Sequence, residues 1–113
     1  MAIEFAEEAF LGNDLVLRFT VEDADGAAVN ITGWTFAFAL ARSYSVAAAI
    51  SKSSGAGIAI NDGAAGIVDV TVQDTDTDDL DVGAYVADLK RADAGQEATL
   101  AYGRLKMLPS VAA

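Results

Sequence analysis

The chain has 113 residues, a formal net charge of -10 from 17 acidic against 7 basic residues, and neither cysteine nor histidine. That length suits one domain around one core. The acidity repels phosphate backbones and anionic lipid and so argues against nucleic-acid and membrane partners. Without Cys and His there are no disulfides, no thiolate zinc site, and neither the commonest metal ligand nor the commonest general base.

"MAIEFAEEAF" carries acid where a secretory leader carries lysine or arginine, and no apolar region follows. It reads as a short N-terminal extension to a domain core spanning 10–109. "DLVLRFTVE" alternates Leu15, Leu17, Phe19 and Val21 against Asp14, Arg18, Thr20 and Glu22, the pattern of a half-buried strand. Asp25-Gly26 supplies a tight turn. In "WTFAFALAR", Trp34, Phe36, Phe38 and Leu40 face a core, while Thr35, Ala37, Ala39 and Ala41 face away. Asn30-Ile31-Thr32 fits the glycosylation triplet but reads as turn chemistry.

"SVAAAISKS" and "GIAIN" are weaker strands around a glycine-bearing turn. "GIVDVTVQ" sets Val68, Val70 and Val72 on one face. The following "DTDTDDL" reads as one helical turn plugged by Leu80. "GAYVADLKR" and "ATLAYGRLKML" form a hairpin across "ADAGQ", and Pro109 ends the last strand. About seven short strands without a long helix predict an all-β, antiparallel sandwich filling one domain, 1–113.

"DVGAYVA" sharpens that expectation. Asp81, Gly83 and Tyr85 have the spacing of a tyrosine corner, in which the phenol hydroxyl bonds a backbone group a few residues upstream. Ala87 stands where an immunoglobulin domain carries a core cysteine, and Trp34 stands near its core tryptophan. The expectation becomes an immunoglobulin-like sandwich without its disulfide.

Candidate chemistry is sparse. Asp74, Asp76, Asp78, Asp79 and Asp81 alternate suggestively, but an EF-hand needs glycine where Asp79 stands and glutamate where Tyr85 stands. The glycines at 55, 57, 63 and 66 precede no Gly-Lys-Ser/Thr, and the serines have no histidine partner. The expectation is therefore no catalytic residue, no metal, no cofactor and no enzymatic activity.

The segments "FLGNDLVLRFTVEDADGAAVNITGW" and "GIVDVTVQDTDTDDLDVGAYVADLKRADAGQEATLAYGRLKMLP" together resemble the small immunoglobulin-like modules of tailed-bacteriophage virions. They are similar to the N-terminal domain of baseplate upper proteins and to stand-alone tail or head accessory proteins. The matching positions are Gly12-Asn13-Asp14, Asp25 with Val29 to Gly33, Leu80-x-x-Gly83-x-Tyr85 and Gly103-x-Leu105, all turn and core residues. The resemblance implies a virion subunit in many copies, assembled in the bacterial host cytoplasm and bound to other tail, baseplate or capsid proteins. A host-surface glycan-binding module is the alternative.

Hydrophobic residues make up 53% of the chain, more than a small domain needs if water surrounds it. The expected contact face is Ala37, Ala39 and Ala41 with Ala47, Ala48 and Ala49 in the next weak strand, whose edge a partner strand would pair. The apolar tail "PSVAA" is a further candidate contact.

Overall fold

A computed structural model describes residues 3–109. The elements are β1 (Ile3–Phe10), β2 (Leu15–Thr20), β3 (Phe36–Ala41), β4 (Ile50–Ser54), β5 (Gly57–Asp62), β6 (Ile67–Val72), the one-turn helix α1 (Asp74–Thr77), β7 (Gly83–Arg91) and β8 (Ala98–Leu108). The fold is all-β. The strands hydrogen-bond in the order β1-β8-β7-β3-β4-β5-β6-β2 as one mixed sheet, curled into a near-barrel compatible with a sandwich. Its two terminal strands approach each other, with the Phe5 and Phe19 rings edge to face at 5.3 Å.

The period-two rows become the core because alternate side chains of a strand share a face. Leu17 and Phe19 of β2, Phe36, Phe38 and Leu40 of β3, Val68, Val70 and Val72 of β6, and Tyr85, Ala87 and Leu89 of β7 are all buried. Phe19 meets Phe38 across the interior at 6.4 Å.

The structure departs from the sequence reading at four places. First, "IEFAEEAF" is strand β1 rather than an extension, so there are eight strands among the described residues, and its pairing with β8 is parallel, so the sheet is not wholly antiparallel. Gly103 permits the pairing, because a Cβ there would overlap the Phe5 backbone. Second, β4 and β5 also pair parallel, but only through Ser53–Gly57 and Ser54–Ile58. Because β4 lies between β3 and β5, it is not a terminal strand of the sheet.

Third, Trp34 lies outside β3, although it packs half-buried against the core as expected. Its N–H donates to Ile31 O at 3.0 Å in a turn, and the Arg91 guanidinium covers its ring at 3.9 Å. Arg91 is held in turn by Asp93, Nε to Oδ2 at 2.7 Å, and Asp93 also accepts from the Thr35 hydroxyl at 3.0 Å. The tryptophan thus packs under a polar clamp at the end of the sheet. Fourth, Ala47, Ala48 and Ala49 belong to no strand; residues 42–49 form an irregular loop.

Candidate functional site

The outer face of β3 carries Ala37, Ala39 and Ala41, opposite the aromatic row. Ala37 and Ala39 are half-buried and Ala41 is buried. Their cross-strand neighbours on β7 are Lys90, Asp88 and Val86, and Ser53 and Ser51 of β4 flank Ala37 and Ala39. The strip is therefore narrow, smooth and bordered by polar side chains.

Residues 42–49 leave the sheet after Ala41 and return where Ala49 N donates to Leu40 O at 2.7 Å. Alanine has no side-chain group to satisfy its own backbone, so the loop relies on Ser43, whose hydroxyl accepts from Ser45 N at 3.4 Å. Tyr44 at 69% and Val46 at 52% exposure stand above the strip, and Ala47 to Ala49 are exposed. Between loop and sheet lies an open depression of ≈ 140 Å³ lined by Ala39, Ala41, Tyr44, Val46, Ala48 and Val86, among others. That volume falls short of the roughly 300 Å³ at which small-molecule pockets begin. The site suits a flat contact better than an engulfed ligand. The sequence alternation located the strip, but Tyr44 and Val46 carry no periodicity and escaped it.

The tail beyond Pro109 lies outside the described residues, so its candidate contact has no place in this geometry.

The Asp81, Gly83 and Tyr85 group sits at the start of β7. The Tyr85 hydroxyl donates to Asp81 O at 2.8 Å, and the ring is buried. Arg42 lies over that ring at 4.5 Å and donates to Val82 O at 3.0 Å. Gly83 has φ 126, and a Cβ there would come within 2.6 Å of Arg42 Nη1, so glycine serves both backbone and neighbour. Arg42 joins this turn to the beginning of the 42–49 loop, a link with no signal in the sequence.

Part of the acidic run is taken up by the fold, through Asp74 and Asp76. Asp74 N donates to Asp14 Oδ1 at 2.8 Å, Gln73 N donates to Asp76 Oδ2 at 2.7 Å, and Lys52 Nζ lies 2.7 Å from the same oxygen. The Lys52 ammonium, followed by the Gln73 N–H, holds the Asp76 carboxyl below the ordinary carboxylate range. On other elements Arg18 does the same for Asp69, and Arg91 for Asp93. Among the described residues no three acidic side chains converge in a way that could hold a metal ion. No protein-family model matches the chain, and no curated protein matches it.

Proposed function

We propose that the chain is a non-enzymatic structural subunit, an immunoglobulin-like module that joins a larger assembly through the β3 strip and the 42–49 loop. The observation that carries this reading is the position of Tyr44 and Val46. Two large apolar side chains stand more than half exposed beside a strip of small ones, where a solitary soluble domain normally places charge. A partner that seats on alanines gains close approach, and the two larger residues supply anchors.

The immunoglobulin-like assignment is supported by the Tyr85 to Asp81 bond and by Ala87 buried in the row where a disulfide would lie. The assembly we propose is a tailed-bacteriophage virion, with the module as a tail, baseplate or capsid accessory present in many copies. That part rests on the resemblance of turn and core residues. The glycan alternative would use Tyr44 as its platform, but the residues beside it in the depression are mainly alanine and valine, with Asp88 at the margin. Glycans need more hydrogen-bonding groups than this surface offers.

Ala39→Arg tests the face. The new side chain points away from the core toward Asp88, so the isolated domain should keep its stability within about 0.5 kcal/mol. Particles from the producing host should lack the variant. Normal occupancy would move the contact elsewhere, and retention on a glycan column that is lost in Tyr44→Ser would favour the alternative.

A further inference from the structure

A different surface, independent of the β3 strip, presents an unpaired strand edge among the described residues. β2 is a terminal strand of the sheet, paired with β6 on one side and with nothing among the described residues on the other. Val21 N bonds Gly66 O at 2.8 Å, toward β6. Counting back by twos, Phe19, Leu17 and Leu15 direct their backbone groups the same way, which leaves the N–H and C=O groups of Val16, Arg18 and Thr20 on the open side. A cleft of ≈ 210 Å³ follows this edge, lined by all six residues of β2 together with Phe5 and Glu7 of β1.

Free edges are normally blunted by charge, proline or a bulge. β1, the other terminal strand, has Glu4, Glu7 and Glu8. β2 has no proline, and its register with β6 is unbroken. Its single charge, Arg18, is turned back on Asp69 by a two-pronged pair at 2.8 and 3.1 Å. Val16 is 55% exposed beside it. The edge is left open to pairing.

The geometry points to β-strand addition at this edge by an extended segment of a partner protein with the inward pattern apolar-x-basic. The charge of the cleft selects the occupant. A strand laid beside β2 turns alternate side chains toward β1. At the level of Phe19 they meet Phe5, which asks for an apolar residue. Two residues along each strand, at the level of Leu17, they meet Glu7, which is exposed and asks for lysine or arginine. A second copy of this chain fits worse, because its own β2 presents only Leu15, Leu17 and Phe19 inward and would bring another Glu7 close.

The test uses the full chain and a blocked peptide, Thr-Val-Thr-Lys-Thr-Val-Thr, with Thr-Val-Thr-Glu-Thr-Val-Thr as its counterpart. Residue-resolved amide exchange is followed by NMR. In the free chain the Val16, Arg18 and Thr20 amides should exchange rapidly at every protein concentration. The lysine peptide should slow these three by about tenfold or more while leaving the β7 amides unchanged. The glutamate peptide should have no such effect, and Glu7→Lys, an exposed change that preserves the fold, should reverse the preference. Protection already present in the free chain would overturn the proposal: if independent of concentration the chain covers its own edge, and if concentration-dependent a second copy does. Equal responses to the two peptides, or none, would overturn it as well.

Discussion

Between β3 and β4 the chain passes through eight residues that are mostly alanine, serine and valine, whereas between β6 and β7 it passes through ten of which half are aspartate. Composition alone would bury the first connection and expose the second. In the structure the acidic connection is the better anchored: Thr77 is 2% exposed, Leu80 packs against the core and Tyr85 reaches back to Asp81. The alanine connection leaves Tyr44 and Val46 in solvent. The difference lies in backbone satisfaction. Aspartate and threonine side chains accept the N–H groups that a short turn leaves unpaired, so such a turn can be pinned against a core, and alanine offers no such group.

The largest break in this contrast is expected at Tyr85. Tyr85→Ala removes a buried ring and the hydroxyl that meets Asp81 O, and should cost about 3–5 kcal/mol in denaturant unfolding. Tyr85→Phe keeps the ring and should cost about 1 kcal/mol. If Phe matches wild type, packing alone holds the turn and the hydrogen bond is incidental.

Thr77→Val is the next test. The Thr77 hydroxyl accepts from Gly12 N at 2.9 Å and donates to Asp74 O at 3.3 Å, so it ties the β1–β2 turn to α1. Valine fills the space but strands the Gly12 N–H, and a loss of about 1–3 kcal/mol should follow, read from the shift in denaturation midpoint. A smaller loss would mean that water reaches Gly12 and that the acidic connection is looser than it looks.

Much of this contrast lies beyond what sequence can express. Alternation exposed the rows Leu17 and Phe19, Phe36 to Leu40, and Val68 to Val72, because period two is local and one face of each strand is dry. It missed β1 because Glu7 interrupts the inward row of Phe5 and Ala9, and the pairing with Gly103 is a long-range event. Ile31, fully buried outside any strand, is held by its N–H to Gly63 O at 2.9 Å, a bond that no periodicity announces. For the proposed contact face, the outward row Ala37, Ala39 and Ala41 was legible by alternation. Tyr44 and Val46 were not, because a loop side chain's direction depends on where the chain rejoins the sheet. Which strands end as free edges was equally hidden, since strand order comes from nonlocal pairing.

Acid should weaken the acidic connection but not the alanine one, which carries no carboxylate. With its carboxyl pKa lowered in the folded state, Asp76 contributes stability that is complete above its unfolded value, about 3.9, and is lost as pH falls through the folded value. Lys52→Met removes the chief cause of that lowering, so it should cost about 1 kcal/mol at neutral pH and progressively less below about pH 4. Thermal melts of both proteins across that range provide the measurement. Parallel pH profiles would mean that the Lys52 pair contributes nothing and that Gln73 alone sets the Asp76 charge.

The smallest expected effect on stability belongs to the other connection, and there the contrast is sharpest. Tyr44 makes no side-chain hydrogen bond among the described residues, and both Tyr44 and Val46 lie mostly in solvent, so replacing both by serine removes little that the described fold uses. The double variant Tyr44→Ser with Val46→Ser should unfold within about 0.5 kcal/mol of wild type. If these side chains anchor a partner, the same variant should lose association with assembled particles, since a few buried aromatic and apolar residues carry most of an interface. Stability and association measured together separate the two roles. A large drop in stability would mean that the loop is part of the core after all. Unchanged stability with unchanged association would leave the alanine connection without a contact role and the open edge of β2 as the surface available to a partner.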